Sequence, residues 1–285
     1  MLDRQAIRII DPAEITEAVR TLCIRANTVL TPDVDAALAA ALERETSPVA
    51  VSCLAACREN LALAAREGMA VCQDTGMAVV FIQMGNRAVV DGDLRAAVDE
   101  GVRRGYRDGF LRFSVTPDPL RRGNTGDNTP AVLYVEPEEG DTLTVTVAPK
   151  GFGSENMSRL YMLTPASGRE EVIAAIAEAG RLAGANPCPP VVLGVGVGGT
   201  AEGCMLAAKK QLLRPLGTAN SDPWYAALER DALEAVNALG IGPQGLGGRC
   251  TALAVHIAPL PTHIAGLPVA VNVGCHVTRH SSCSL

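Results

Sequence analysis

The chain has 285 residues, 48% hydrophobic and 20% charged, which is enough apolar material for a sizeable core and unlike a disordered chain. Lys and Arg number 25 against 31 Asp and Glu, a net charge of −6, and the aromatics are one Trp, four Tyr and four Phe. These values argue against a basic nucleic-acid footprint and against base-stacking platforms.

In chain order, helix starts come first. Asp11-Pro12, Thr31-Pro32 and Ser47-Pro48 each read as an N-cap followed by proline at the first helical position. Apolar residues at helical spacing follow, such as Val34, Leu38, Ala41 and Leu42, then Val51, Leu54 and Leu61. Residues 1–70 therefore read as a mainly helical section. The run Met77 to Met84, ended by Gly85, suits a buried strand, and Asp91 to Arg107 a helix. Residues 114–130, rich in Pro, Gly, Asn, Asp and Thr, read as a long loop, either ordered or functional. Strands are expected over Ala131–Glu136 and Thr142–Ala148. A capping box at Ser167-Gly-Arg-Glu170 leads into a helix to Ala183. Next come a Gly-interrupted strand over Val191–Val197 and helices over Thr200–Leu213 and Pro223–Leu239. The last is capped by Asp222 and stopped by Gly240. Thr251–Ala258 and Leu267–Val273 complete the strands. Interleaved elements without a linker or repeat predict one mixed α/β (α+β) domain over residues 1–285. Its second part, 71–285, is a mixed sheet with flanking helices.

The first ten residues mix charges and lack a long apolar run, unlike a secretory leader, and no stretch approaches 18 consecutive apolar residues. The expectation is a cytoplasmic protein without a membrane span. In that reducing compartment its nine cysteines act as fillers, metal ligands or catalysts. Three differ from the others in setting: Cys72 between a helix end and a strand, Cys188 in Asn186-Pro-Cys-Pro-Pro190, and Cys275 just after a strand. Cys23, Cys53, Cys57, Cys204 and Cys250 read as fillers. Three thiolates without a fourth suit a metal centre with an open position, for which a [4Fe–4S] cluster is one candidate. A zinc site of Cys275, His276 and His280 is a weaker rival, because adjacent residues of an extended segment point to opposite faces. Gly194-Val-Gly-Val-Gly-Gly199 formally matches a dinucleotide fingerprint. The acid that should end a second strand is missing, however, and a tight strand-to-helix turn is the better reading.

Several segments, in order, resemble the α subunit of the two-subunit class I fumarases, iron–sulfur hydro-lyases whose family includes L-tartrate dehydratase. They are Cys72-Gln-Asp-Thr-Gly76, Gly123-Asn-Thr-Gly-Asp-Asn-Thr-Pro130, Ala148-Pro-Lys-Gly-Phe-Gly-Ser-Glu-Asn-Met157, Asn186-Pro-Cys-Pro-Pro190, Ile241-Gly-Pro-Gln-Gly-Leu-Gly-Gly248 and Gly266-Leu-Pro-Val-Ala-Val-Asn272. The resemblance implies a [4Fe–4S] cluster on Cys72, Cys188 and Cys275, carried by loops at strand ends, and reversible hydration of a small dicarboxylate such as fumarate to L-malate. It implies substrate contacts at Gln73, Asp74, Arg112, His263 and Gly153, with Asp74 and His263 catalytic. Phe152 stands where the family pattern has glycine. The Asn124–Asn128 stretch looks more like fumarase than tartrate dehydratase.

The chemistry of these residues is consistent with those roles. Arg112 offers a planar fork to a carboxylate, although alone it reads as a surface Arg near Arg103, Arg104 and Arg107. Asp74 can exchange a proton with a substrate hydroxyl, or simply cap a turn. His263 can polarise the substrate, or be a hydrogen-bonded core group. The sequence given stops ten residues after Cys275, and the resemblance implies that the family's catalytic Thr base and further Arg and Lys contacts are to be expected outside these residues. The resemblance therefore implies a separate β subunit, in an α2β2 assembly. The readings from other classes are a non-catalytic iron–sulfur protein and a nucleotide-binding protein.

Overall fold

A computed structural model describes residues 7–285. Its elements in chain order begin with β1 (Arg8–Ile10), α1 (Pro12–Thr28), α2 (Pro32–Arg44), α3 (Pro48–Glu67), β2 (Met77–Gly85), β3 (Ala88–Val90) and α4 (Leu94–Asp108). They continue with β4 (Val132–Glu138), β5 (Leu143–Lys150), α5 (Phe152–Glu155), β6 (Arg159–Leu163), α6 (Arg169–Ala183) and β7 (Val191–Gly198). The last are α7 (Ala201–Gln211), α8 (Pro223–Asn237), a 3-10 turn (Pro243–Gly245), β8 (Ala252–Leu260), β9 (Leu267–Gly274) and β10 (Ser281–Ser284). The fold is mixed α/β, and the described residues form two four-stranded mixed sheets and a two-stranded one where a single sheet was expected. The chain groups into two compact units, one of Met1–Leu30, Leu63–Gly151 and Arg279–Leu285, the other of Thr31–Ala62 and Phe152–Thr278.

In the first unit the sheet runs β10-β5-β2-β4, with β2 parallel to β4 and antiparallel to β5. The consecutive buried residues of β2 fit its place between two neighbours, and β5 alternates Leu143, Val145 and Val147 inward. Helices α1 and α4 pack closely because Gly101 and Gly105 carry no Cβ. An added carbon would stand 2.6 Å from Val19 and 2.8 Å from Cys23. Asp11 caps α1 as expected, and α4 starts at Leu94, capped by Asp93, later than the expected start at Asp91, whose N–H donates to Ile10 O where β1 pairs with β3.

In the second unit the sheet runs β6-β9-β7-β8. Val191, Leu193 and Val195 of β7 join Val172 and Ile176 of α6 and Leu228 and Val236 of α8 in one core. The intervening Gly194 and Gly196 face α7, where an added Cβ would stand 2.1 Å from Ala208 O and 2.2 Å from Cys204 O. These glycines admit helix backbone, so the fingerprint-like run is a packing feature. At α6 the cap is Gly168, whose N–H donates to Glu171 Oε2 at 2.8 Å. The box thus sits one residue later than the Ser167–Glu170 pattern predicts. Helix α3 is, among the described residues, the one long and apolar enough to cross a bilayer by length and composition. In this fold Leu54 and Cys57 on it are buried, and its Arg58 pairs with Asp35 at 2.7 Å.

Candidate active site

The first unit carries Cys72, Gln73, Asp74 and Arg112. Between α3 and β2 the chain makes an open turn in which Cys72 and Asp74 are half-buried and Gln73 is exposed. Cys72 Sγ lies 3.5 Å from Gln73 Oε1. Asp74 Oδ1 accepts the N–H of Gly76 at 3.1 Å, so the side chain closes an Asx turn. Its Oδ2 lies beside Gly151, where a Cβ would stand 3.0 Å away. Gly76 has φ 73° and meets the Lys150 backbone so tightly that a Cβ would stand 2.5 Å from it. The turn is thus pinned against the end of β5.

Three further contacts fix it. Tyr106 of α4, fully buried, donates its hydroxyl to Thr75 O at 2.9 Å or to Gly76 O at 3.0 Å. Burial holds that phenol well above its ordinary pKa, so it stays a donor. Asn128, 0% exposed and at φ 61°, donates Nδ2 to Gly76 O at 3.2 Å and accepts from Ser114 N at 2.7 Å. Thr75 accepts the Arg112 N–H at 2.9 Å and donates to Arg112 O at 3.2 Å. This reciprocal pair ties the backbone of Arg112 to the Gln73-Asp74 turn, while its side chain is exposed. Asn124 and Asp127 hold the long loop. Asn124 bonds Phe113 O and Gly126 N; Asp127 bonds Thr129 and Arg103. Arg279 joins the turn as well, without a motif to mark it. It is buried, bonds Asp74 O through one terminal nitrogen, and has an Nε without a hydrogen-bond partner among the described residues. Its only signal was a lone Arg shortly after Cys275.

The second unit carries Cys188, Cys275, Gly153 and His263. Cys188 is exposed at φ 54° in the loop between α6 and β7, and Cys275 is half-buried just after β9. Because β7 and β9 are antiparallel, with Val192 opposite Gly274, both cysteines lie at one end of the sheet. His276 Nδ1 stands 2.9 Å from Cys188 O and ties the two loops. Gly153, in α5, faces the same loop, since a Cβ there would stand 3.4 Å from Asn186 O. Glu155 of α5 anchors it through Lys209 at 2.5 Å and Asn272 at 3.2 Å. His263 is elsewhere: exposed in the loop before β9, its Nδ1 accepts from Ala265 N at 3.1 Å. It lies at the far end of an eight-residue strand from Cys275, on the order of 25 Å along the chain direction.

The donor chemistry fits an iron–sulfur cluster. Cys72, Cys188 and Cys275 stand on turns or strand ends with partly open side chains. Cys23, Cys57, Cys204 and Cys250 are buried instead, and burial pushes their thiols up to about 12, 11, 11 and 11. Among the described residues, no three His, Cys, Asp or Glu are grouped as ligands of a single metal ion.

The sequence model of the family described as Fumarate hydratase (Fumerase) matches residues 16–284. A Methanocaldococcus jannaschii protein, provisionally assigned as an L(+)-tartrate dehydratase subunit alpha, is 37% identical over 276 residues, covering 94% of this chain and 96% of its own length. The L(+)-tartrate dehydratase subunits alpha of Escherichia coli K12 and Shigella boydii are each 30% identical over 272 residues, covering 94% of this chain and 90% of theirs. The open cysteine turns thus sit in a chain that belongs to the fumarate hydratase family, as an α-type chain of its hydro-lyases.

Proposed function

We propose that residues 1–285 form the α-type catalytic domain of a cytoplasmic iron–sulfur hydro-lyase that reversibly hydrates fumarate to L-malate. The observation that carries this reading is the pinned Cys72–Gly76 turn. It presents a thiol, an amide and a carboxylate side by side, and Thr75 locks Arg112 to it. Cys72, Cys188 and Cys275 are the proposed ligands of a [4Fe–4S] cluster. When bound, such a cluster supplies Lewis acidity toward a substrate oxygen through an iron that lacks a protein ligand.

The chain's own residues do the rest. The Arg112 guanidinium receives a substrate carboxylate through its planar fork. Gln73 hydrogen-bonds the substrate, and the N–H groups of the Gly153 turn face it. Asp74, its Oδ1 held by Gly76, exchanges a proton with the substrate hydroxyl. His263, exposed at the other end of β9 from Cys275, is a substrate contact in this reading only in a site completed by another chain. The base that takes the carbon-bound proton comes from a β subunit, as a Thr with Arg and Lys contacts beside it, in an α2β2 assembly. The relatives' designation as subunits alpha supports such a partner.

Dehydration of L(+)-tartrate is the second reading, favoured by the names of those relatives. L-malate and L(+)-tartrate share two carboxylates and a hydroxyl, tartrate carrying one hydroxyl more, so Arg112 and Asp74 serve either. The test is iron and acid-labile sulfide per chain after anaerobic purification, with Cys188→Ser as control. About four of each in the wild type, as a [4Fe–4S] centre requires, and most lost in the variant, is the expected outcome. No iron in either, even after reconstitution, removes the mechanism.

A further inference from the structure

Gln244 joins two loops of the second unit that the proposed function uses. Its backbone is left-handed, at φ 55° and ψ 15°, a conformation a non-glycine side chain adopts only where its surroundings hold it. Its main-chain N–H donates to Pro189 O at 2.7 Å, and its Nε2 donates to the same oxygen at 2.9 Å. Both lone pairs of that carbonyl are then filled. Cys57 Sγ lies 3.9 Å from Nε2, and His276 Nδ1 lies 3.4 Å from it. His276 Nδ1 is itself 2.9 Å from Cys188 O. A carbonyl only accepts, so Nδ1 carries the proton and donates to it, and Gln244 meets the imidazole by packing. Pro189 follows Cys188 and His276 follows Cys275, so the segments of both cysteines meet at this one side chain.

We propose that Gln244 is a positioning residue, which holds the Cys188 loop against the Cys275–His276 segment so that both thiols are set before iron binds. The proposal rests on the cluster reading above. Motif position alone gave Gln244 no role, because it lies more than fifty residues from one loop and more than thirty from the other.

The test uses the full chain in two variants. Gln244→Gly keeps a residue at ease with positive φ, and keeps the main-chain bond, while removing the amide. Gln244→Glu keeps the shape but turns an oxygen toward Pro189 O. Amide hydrogen exchange of the metal-free protein is followed by mass spectrometry in peptides covering Asn186–Val191 and Gly274–Thr278. The peptide covering Cys72–Gly76 serves as control. Exchange in the first two is expected to rise roughly two- to tenfold in both variants, the effect of losing one hydrogen bond, with the control unchanged. After anaerobic reconstitution, iron release to a chelator, read from the fall in visible absorbance, is expected to speed up by a similar factor. Exchange at the wild-type rate in both segments of both variants overturns the role of Gln244. So does a rise with Gln244→Gly alone, which would mean that the side chain only fills space. A wild-type chain that takes up no iron overturns the cluster reading instead, whatever the exchange shows.

Discussion

Glu229 is a carboxylate taken almost wholly out of water, at 6% exposure. Arg214 grips it with two nitrogens, each at 2.7 Å, Ile257 N–H donates at 2.7 Å, and Asn220 adds a longer bond. Burial alone would raise its pKa, but these donors outweigh burial and hold it below the usual carboxylate range. Glu229→Ala leaves the half-buried Arg214 charge without its partner, and a loss approaching the roughly 3–5 kcal/mol of a broken buried pair is expected, read as a lower thermal midpoint. The pH dependence follows from the lowered value. The stabilisation is complete above the unfolded pKa of about 4.3 and is lost as pH falls through the folded value. The variant should therefore lose less stability than the wild type on acidification below about pH 4. If the two acid profiles run parallel, Glu229 is not the group that titrates. Glu45 plays a related part, taking four backbone N–H groups from Thr46, Ser47, Arg249 and Cys250, so one buried carboxylate holds two distant turns. The long-range half of each partnership is invisible in sequence, because nothing near Glu229 names Ile257 and nothing near Glu45 names Arg249 or Cys250.

At the scale of elements, local rules read well where the signal is local. Asp11 and Asp222 cap α1 and α8 with side-chain bonds of 2.8 Å, and prolines open α1, α2, α3 and α8. The expected strands at β2, β4, β5, β7, β8 and β9 all form, within a few residues. Missed were β1, β3, β6 and β10, short pieces of three to five residues whose pairing partners, not their own periodicity, make them strands. The glycines of β7 show the same limit from the other side. Sequence marks Gly194 and Gly196 as special, but only packing shows that α7 backbone occupies the missing Cβ positions. Gly194→Ala is expected to cost about 1–3 kcal/mol or more, since the backbone it meets cannot turn aside as a side chain can. Gly180→Ala, where the nearest neighbours stand at 3.4 Å, should be neutral or stabilising by about 0.5–1 kcal/mol through helix propensity. Denaturation midpoints of the two variants that fail to diverge would refute this account of the β7–α7 contact.

At the scale of the whole molecule, each unit is built from separated stretches of chain, with residues 279–285 returning to the first. The candidate groups follow that division: a cysteine, an amide, a carboxylate and an arginine in one unit, two cysteines and the Gly153 turn in the other. No residue in these groups is assigned to take the carbon-bound proton. The reconstituted chain alone is therefore expected to show no turnover of L-malate, fumarate or L(+)-tartrate. Activity should appear on adding the separately produced β subunit, read by absorbance of the unsaturated acid or by coupled assay of the keto acid. Turnover by the chain alone would show that it contains its own base.

The sequence by itself determined what depends on composition and near neighbours: the mixed α/β class, most helix starts, the strands with a strong apolar run, and the placement of three cysteines on turns rather than in apolar runs. Six ordered motifs also carried the family, because a long match in order does not require knowing which residues touch. The tertiary structure alone decided which groups meet within each unit. Thr75 reaches Arg112 across 37 positions, Asn128 reaches Gly76 across 52, and His276 reaches Cys188 across 88. It also separated His263 from Cys275, although only a strand lies between them in sequence. The physical reason is range. Backbone propensity and capping act over a few residues, whereas contacts over tens of residues exist only after sheets have chosen their order and helices their faces.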